Sequence, residues 1–592
     1  MNQSEHLFKV RSQMAVMGLD AVVVLSADQH LSEYIADHWK FRQHLSGFSG
    51  SAGTLVVTAE EAGLWTDSRY FLQASMELKD SGIELYRMGD PGVADYKDYL
   101  ATTLPRGSVV GFDGRTMSMA DFKDFSTTLR KQDIRIDSRI NLMDEIWFDR
   151  EPLPEDDVYE LEESYSGMGR REKASAIREM MREKDATHYI VCALDEIAWM
   201  LNLRGSDVSF NPVFHAFMIV TQNHTNLFLD PHKLTANIGK KLDEDQVRVF
   251  HYSDFYNYVK ELPAHSTIYF DPQRTNVLAV GSAPSQSVKV EGQGFITKLK
   301  GVKNNVEIQG SRKAHLYDGV AMVKFLSWLH HNIGRTSLTE LSCAAKLRGF
   351  RQQQPDFVGE SFGCISSYGA NGAIVHYTPT EASNKTLEPN GFYLLDSGGQ
   401  YKCGTTDITR TIALGEPTER QKHDFTLVLK GHIALAMAVF PEGTRGVHLD
   451  ILARQPLWQY GLNYGHGTGH GVGAFLNVHE GPQSIRPQDN GVAMQAGMIT
   501  SNEPALYREG EYGIRIENLI VCLEKEQTPY GRFLQFETLT LCPIDQRPIE
   551  KSLLTAIELA WINDYHQQVY QLLSPLLESD EREWLKQATA QI

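Results

Sequence analysis

The sequence predicts an α/β and α+β multidomain protein, on three observations. Its 592 residues exceed what one hydrophobic core organises, so roughly three or four domains are expected. The first half repeats an order of parts in which a strand precedes a hairpin. The second half states one plan twice, a helix pair followed by strands, with a pair of acids inside each apolar set of strands.

From Gly18 the segment GLDAVVVLSADQHLSEYI reads as strand, turn and short helix, and GTLVVTAEEAGLWTDSRYF as a hairpin ending at Asp67. A second copy follows the helical GRREKASAIREMMREKDA: the strand HYIVCAL, then DEIAWMLNLRG, then AFMIVTQNHTNLFLD as a hairpin ending at Asp230. Similar spacing makes residues 1–150 and 158–296 two related α/β domains. Between them, Phe148 to Asp157 (FDREPLPEDD) has the proline and acid content of an exposed linker.

A third domain is expected over 297–592. Val306, Ile308, Ala314, Val320, Val323, Leu326 and Leu329 form the stripe of a long amphipathic helix from Asn305. Ser337 with Glu340 resembles a capping box opening a second helix. Strands around SFGCISSYGANGAIVHY and GFYLLDSGGQY lead to helices at TERQKHDFTLVLKGHIALAMAVF and GVHLDILARQPLWQYG, then to strands ending at Cys542. The tail is a further amphipathic helix through Leu554, Ile557, Trp561, Tyr565, Val569 and Leu572, for core packing or subunit contact.

Composition narrows the function classes. Hydrophobic content of 42% with 22% charged residues is ordinary for globular chains, so disorder does not dominate. A net charge of −18 argues against nucleic-acid or anionic-membrane partners and serves solubility. The N-terminus lacks a basic stretch followed by a long apolar one, and no apolar run approaches a membrane span, so a cytoplasmic location is expected. Six dispersed cysteines without CxxC spacing indicate neither a zinc site nor a disulfide framework, but buried thiols.

The chemistry concentrates in Tyr464 to Pro482, YGHGTGHGVGAFLNVHEGP, where His466, His470 and His479 are separated largely by glycines that permit close backbone approach. Asp396 and Asp407 in LLDSGGQYKCGTTDITRT, and Glu503 and Glu517 in SNEPALYREGEYGIRIENLIV, lie in apolar, β-like runs. A buried acid is costly without a neutralising partner, and metal is the expected one. If Asp396 and Asp407 sit in paired antiparallel strands, the even number of residues between them allows them to be directly opposite, hence on one face. Four carboxylates and one neutral imidazole are balanced by two divalent cations. Oxygen-rich ligation with one histidine favours Mn²⁺ over structural Zn²⁺, with Zn²⁺ and Co²⁺ as the other options. Paired ions about 3.5–4 Å apart can hold a bridging hydroxide and polarise a carbonyl, which is peptide-hydrolase machinery.

Two motifs point elsewhere. GESFG, Gly359 to Gly363, matches a nucleophile elbow with Ser361 as nucleophile, but RQQQPDFV before it and CISSYGANG after it do not read as the buried strand and helix an elbow requires. GHGTGHGVG lacks the lysine and hydroxyl of a phosphate-binding loop. His330, His331 and His432, on helix-like stretches, read as structural.

The order HY, LLDSGGQY, TTDITRT, GHGTGHGVG, SNEP and GIRIEN resembles the pita-bread metallopeptidases, and LNLRGSDVSFNPVF resembles their long, three-domain Xaa-Pro aminopeptidases. The resemblance covers essentially the whole chain. It implies two creatinase-like N-terminal domains followed by a pita-bread catalytic domain, with metal ligands at Asp396, Asp407, His470, Glu503 and Glu517. It further implies that His376, His466 and His479 bind or polarise substrate, and that Glu503 doubles as general base. Spacing alone makes Arg515 a donor that orients Glu517. The implied activity is release of the N-terminal residue from peptides with proline second, by a homodimer in which one subunit's N-terminal domain borders the partner's active site. The alternatives are a prolidase confined to X-Pro dipeptides and a metal-free binding scaffold; creatinase-like amidinohydrolases share the fold but not the metal quintet.

Overall fold

Two six-stranded sheets with one and the same strand order build the first half of the chain in the computed structural model, which describes residues 3–592. The first sheet runs Glu84–Arg87, Ala62–Thr66, Thr54–Thr58, Ala21–Leu25, Val109–Phe112, Arg135–Asp137. The second runs Val247–Phe250, Thr225–Phe228, Phe217–Thr221, His188–Val191, Thr267–Phe270, Val288–Glu291. In both, the second of these strands pairs antiparallel with the third and the third with the fourth, while the remaining contacts are parallel. The duplication expected from the sequence is therefore present at the level of topology. Val22, Val56, Leu64 and Val110 are buried in the first sheet, and Ile190, Ile219, Leu227 and Ile268 in the second, the near-continuous apolar runs that strands covered on both faces carry. Phe148 to Asp157 forms no helix or strand.

The described chain divides into two compact units, Met1–Leu161 with Met168–Thr297, and Glu162–Gly167 with Lys298–Ile592. The second unit holds helices α1 (Asn305–Asn332), α2 (Glu340–Arg351), α3 (Glu419–Ala436), α4 (Gly446–Trp458) and α5 (Ala556–Leu573). Its strands around the acids are β1 (Phe392–Ser397), β2 (Ile408–Ala413), β3 (Gly469–Gly471), β4 (Glu480–Ile485), β5 (Ile499–Asn502), β6 (Ala505–Arg508), β7 (Tyr512–Arg515), β8 (Asn518–Thr528) and β9 (Gly531–Thr538). β1 pairs antiparallel with β2, and β9, β8, β5, β3 and β4 are consecutive neighbours in a six-stranded sheet. The helix pair and strands thus recur, as the sequence reads.

Several sequence-level expectations are corrected in detail. Val306, in the first turn of α1 after the Asn304–Glu307 capping box, is 39% exposed while the rest of its predicted stripe is buried. The box opening α2 is Thr339 with Ser342 rather than Ser337 with Glu340. Glu340 is fully buried, and its carboxylate accepts from the Tyr377 hydroxyl, the Asn371 amide and the backbone N–H groups of Tyr368 and Lys385. A short acid near a helix start serves either role, and the loop around Tyr377 claims this one. In α5 the buried face is Ile562, Tyr565, His566, Val569 and Leu573, leaving Ile557 and Leu572 exposed. A histidine inside the stripe disguised its register: His566 accepts from the Ile544 N–H at 3.1 Å.

Ser361 is fully buried and donates to the Thr406 carbonyl at 2.8 Å. The strand Phe357–Glu360 before it is followed by another strand, Ile365–Tyr368, not by a helix, so no nucleophile elbow forms. Among the described residues no helix is long and apolar enough to cross a membrane.

Candidate metal centre

The paired strands bring the acids together in two ways. Asp396 lies opposite Thr409 in the β1–β2 ladder, so Asp407, just before β2, shares a face with Asp396 as the even spacing implies, one diagonal step away rather than directly opposite. The offset arises because the chain turns through Gly398, where a Cβ would stand 2.1 Å from the Thr406 carbonyl oxygen. Glu503 and Glu517 follow the other geometry. Asn502 and Asn518 are the terminal pair of the β5–β8 ladder, and the two glutamates continue its register by one step. His470 sits on β3 beside β5, and Gly469 permits the approach: its Cβ would meet the Ser501 carbonyl oxygen at 2.0 Å.

Three overlapping groups place donor atoms within 4.8 Å of one another: Asp396, Asp407 and Glu517; His470, Glu503 and Glu517; and Asp407, His470 and His479. His470 Nε2 is 3.5 Å from Asp407 Oδ2 and 3.6 Å from Glu503 Oε1. The His479 ring meets the His470 ring edge to face at 4.4 Å. All five carried-over ligand positions therefore belong to one cluster, with His479 at its edge.

The electrostatics of the cluster ask for cations. Burial, partly opposed by Arg515 and reinforced by Asp407, raises the Asp396 pKa to about 6. Burial and the charges of Asp407, Glu503 and Asp396 raise that of Glu517 well above the usual carboxylate range. Burial alone lowers His470, but the hydrogen bond to Asp407 and the charges of Glu503 and Asp407 outweigh it and lift the imidazole to about 9. Like charges in a low-dielectric site titrate upwards unless something positive enters. Asp396 Oδ1 and Asp407 Oδ1 are buried without a hydrogen-bond partner, which leaves a lone pair on each for a cation. Carboxylate oxygens with one imidazole suit divalent ions that tolerate oxygen-rich shells.

Arg515 corrects a further expectation. Its Nη2 donates to Asp396 Oδ2 at 2.6 Å, and its Nε to Thr409 Oγ1 at 3.1 Å. Thr409 Oγ1 in turn donates to Glu517 Oε2 at 2.7 Å. The guanidinium thus orients Asp396 directly and reaches Glu517 only through Thr409, which stands between them. Arg515 Nη1 also donates to the Tyr507 hydroxyl, and that hydroxyl lies 2.9 Å from His466 Nε2. Burial holds His466 near pKa 4, so it is neutral at neutral pH. His376 is half-buried in a turn after β-like Ile365–Tyr368, next to Val375, whose carbonyl accepts from Arg515 Nη2 at 3.5 Å. His432 is buried against Asn502 and Asn518, where its structural reading holds.

Sequence reasoning passed over Tyr507 and Thr409. Tyr507 stands inside the quoted SNEPALYREG run, four positions after Glu503, yet nothing in its spacing marks it as a partner of His466. Thr409 is, in line, one of four threonines in TTDITRT, and nothing there singles it out.

A fold of duplicated α/β domains before a sheet-and-helix catalytic unit, with clustered carboxylates and one imidazole, defines a dinuclear-type metallohydrolase. Family comparison agrees. Residues 309–524 match metallopeptidase family M24, residues 7–146 and 149–307 each match the creatinase/prolidase N-terminal domain, and residues 532–592 match the C-terminal region of peptidase M24. The chain is 41% identical to a probable Xaa-Pro aminopeptidase P of Coprinopsis cinerea, covering 100% of this chain and 98% of that one. It is also 41% identical to Xaa-Pro aminopeptidase 1 of Dictyostelium discoideum, covering 98% and 96%. The crystal structure of an X-prolyl aminopeptidase from Caenorhabditis elegans, described as a cytosolic enzyme with a di-nuclear active site, superposes with a TM-score of 0.97 at 35% identity over 100% of both chains. The chain belongs to metallopeptidase family M24, among its Xaa-Pro aminopeptidases.

Proposed function

We propose that this enzyme releases the N-terminal residue from peptides whose second residue is proline, with two divalent cations, Mn²⁺ by preference, held by Asp396, Asp407, His470, Glu503 and Glu517. The observation that carries the reading is the convergence of these side chains into overlapping groups within 4.8 Å, on a chain that resembles Xaa-Pro aminopeptidases from end to end. Bound there, the cations supply Lewis-acid polarisation of the scissile carbonyl and lower the pKa of water towards neutrality.

The chain's own residues do the rest. Glu503, whose side chain is 19% exposed at the open edge of the cluster, takes the proton from the attacking water and passes it to the departing prolyl nitrogen. That nitrogen carries no proton in the peptide, so the bond cannot break cleanly until one arrives. His479 steadies the carbonyl oxygen as charge develops on it. His466, which is neutral, and His376 flank the proline pocket, and Tyr507 fixes the tilt of the His466 ring. Arg515 holds Asp396 in its charged form by donating to Oδ2.

The same reading makes the protein a cytoplasmic homodimer. The C. elegans relative is described as cytosolic, and Ile557, Leu572 and Leu576 remain exposed at the C-terminal end as candidates for a subunit contact. Sedimentation should give a dimer; an active monomer at working concentration refutes it.

Comparing an X-Pro dipeptide, an X-Pro-Y tripeptide, a longer X-Pro peptide and its X-Ala counterpart tests the substrate. Hydrolysis of the X-Pro tripeptide and longer peptide, with the X-Ala peptide spared, is the expected result. Hydrolysis of the dipeptide alone makes this a prolidase, and equal cleavage of the X-Ala peptide removes the proline specificity.

A further inference from the structure

The loop that carries His466 reads YGHGTG, and its three glycines give the backbone more freedom than a binding site tolerates. What restrains it comes from α4. Arg454 and Asp450, four residues apart on that helix, are each 2% exposed and joined from Nε to Oδ2 at 2.7 Å. The Arg454 guanidinium then spends its remaining donors on the loop: Nη1 to the Tyr464 carbonyl at 2.7 Å and to Asn463 Oδ1 at 3.1 Å, and Nη2 to the His466 carbonyl at 2.6 Å. It also lies over the Tyr464 ring, 4.0 Å from its centroid. Asp450 Oδ1 accepts from the Thr468 hydroxyl at 2.6 Å, and that hydroxyl lies 2.5 Å from the Tyr464 hydroxyl. Finally the Thr468 carbonyl accepts the Glu503 backbone N–H at 2.8 Å.

A buried ion pair adds little stability over apolar side chains of the same volume, so stability alone does not account for this one. Its geometry does. Every contact it makes falls on residues 463 to 468, between α4 and the His470 strand, and two of them bracket His466. We propose that Asp450, Arg454 and Thr468 are positioning residues, a brace between α4 and the glycine loop that sets where the His466 ring stands in the active site. The brace rests on the reading of His466 as a substrate-contacting residue. Its keystone is the Thr468 hydroxyl, which satisfies Asp450 and engages Tyr464 at once. Valine in its place preserves the shape and removes both bonds, whereas serine keeps the hydroxyl.

The test is a double-mutant cycle on the metal-loaded full chain, with an X-Pro-Y tripeptide as substrate and metal content measured on every variant. Thr468→Val should lower kcat/KM by about 10-fold to 100-fold with its metal retained, as a small displacement of a substrate-contacting group does. Thr468→Ser should stay within about 3-fold of the parent, and Thr468→Val should cost under about 2-fold more when His466 is already asparagine. A merely structural role would leave the loss the same in both backgrounds, and that result overturns the brace. So does an unimpaired Thr468→Val beside an impaired His466→Asn, or a failure of serine to restore activity. An unimpaired His466→Asn overturns instead the reading of His466 itself. Should Thr468→Val not fold, Asp450→Asn, which keeps shape and removes charge, is judged by the same cycle.

Discussion

Replacing Glu480 by glutamine should destabilise the catalytic half more than a surface change of the same kind. Glu480 opens β4, directly after His479, and its two carboxylate oxygens are each 2.7 Å from an ammonium, Oε1 from Lys303 and Oε2 from Lys300. The three side chains are 1%, 2% and 3% exposed, so water screens none of them. Glutamine keeps the volume but strands two buried cations with no anion between them. Breaking a buried ion pair by removing one partner costs about 3–5 kcal/mol. At an unfolding entropy of about 2.1 cal/mol/K per residue, a unit of about 300 residues shifts by about 1.6 °C per kcal/mol, which makes the fall in Tm about 5–8 °C. Differential scanning calorimetry in metal-saturated buffer measures it directly. Adding Lys303→Met to Glu480→Gln should recover part of the loss, because one stranded charge leaves with the anion. A Tm within about 2 °C of the parent, or a double variant worse than the single, would show that the ammoniums are neutralised by something other than Glu480.

Other expectations are simpler to state. Asp407→Asn removes one proposed ligand and changes the charge balance, so bound metal by elemental analysis and peptide cleavage should fall together while the far-UV circular dichroism is kept; full turnover by a chelated preparation would refute metal dependence. Ser361→Ala should leave kcat/KM within about 3-fold of the parent, since the buried hydroxyl serves only the Thr406 carbonyl; a collapse with metal and fold retained would revive a serine nucleophile. Burial, aided by the nearby Arg410 guanidinium, lowers His566 to about 4, below its unfolded value near 6.5. Between those values the unfolded chain binds the extra proton, so stability should fall as pH drops from about 6.5 to about 4, by up to about 3 kcal/mol. His566→Gln should flatten that segment of the denaturation-versus-pH curve, and an unchanged slope would refute the assignment.

The convergence of the candidate metal ligands was legible because their residue types are rare in the places they occupy. Acids within LLDSGGQY and GIRIEN, and histidines spaced by glycines, stand out in apolar surroundings where a solvated role makes no sense. The duplicated topology was legible for a related reason, since hairpins and parallel crossovers punctuate a sequence at different intervals. What stayed hidden were partners whose side chains look ordinary in line. Asp450 and Arg454 lie in GVHLDILARQPLWQYG, which the sequence marks only as a helix, and both are buried, because a charge that points inward leaves the same periodic trace as one that points out. Val306, Ile557 and Leu572 erred the opposite way, apolar residues on the right period that the fold leaves at the surface. Arg515 was recognised by its distance in sequence from Glu517, but an arginine side chain is long enough to pass its near neighbour, and it finds Asp396 on another strand. Side-chain reach is three-dimensional information, and spacing does not encode it.

The spread of the donor set along the chain bears on how the enzyme is made. Synthesis proceeds from the N-terminus, and 96 positions separate Asp407 from Glu503. At about 5–20 residues per second, the ribosome exposes the aspartates roughly 5–20 s before the first glutamate. Even then the site is incomplete, because Arg410, beside Asp407, needs the carbonyls of Cys542 and Pro543 and the Tyr565 hydroxyl of α5 to satisfy its guanidinium. A cation arriving during translation meets two carboxylates and nothing that distinguishes one divalent ion from another. With the proposed ligand set, discrimination between divalent ions therefore belongs to the finished fold rather than to the nascent chain.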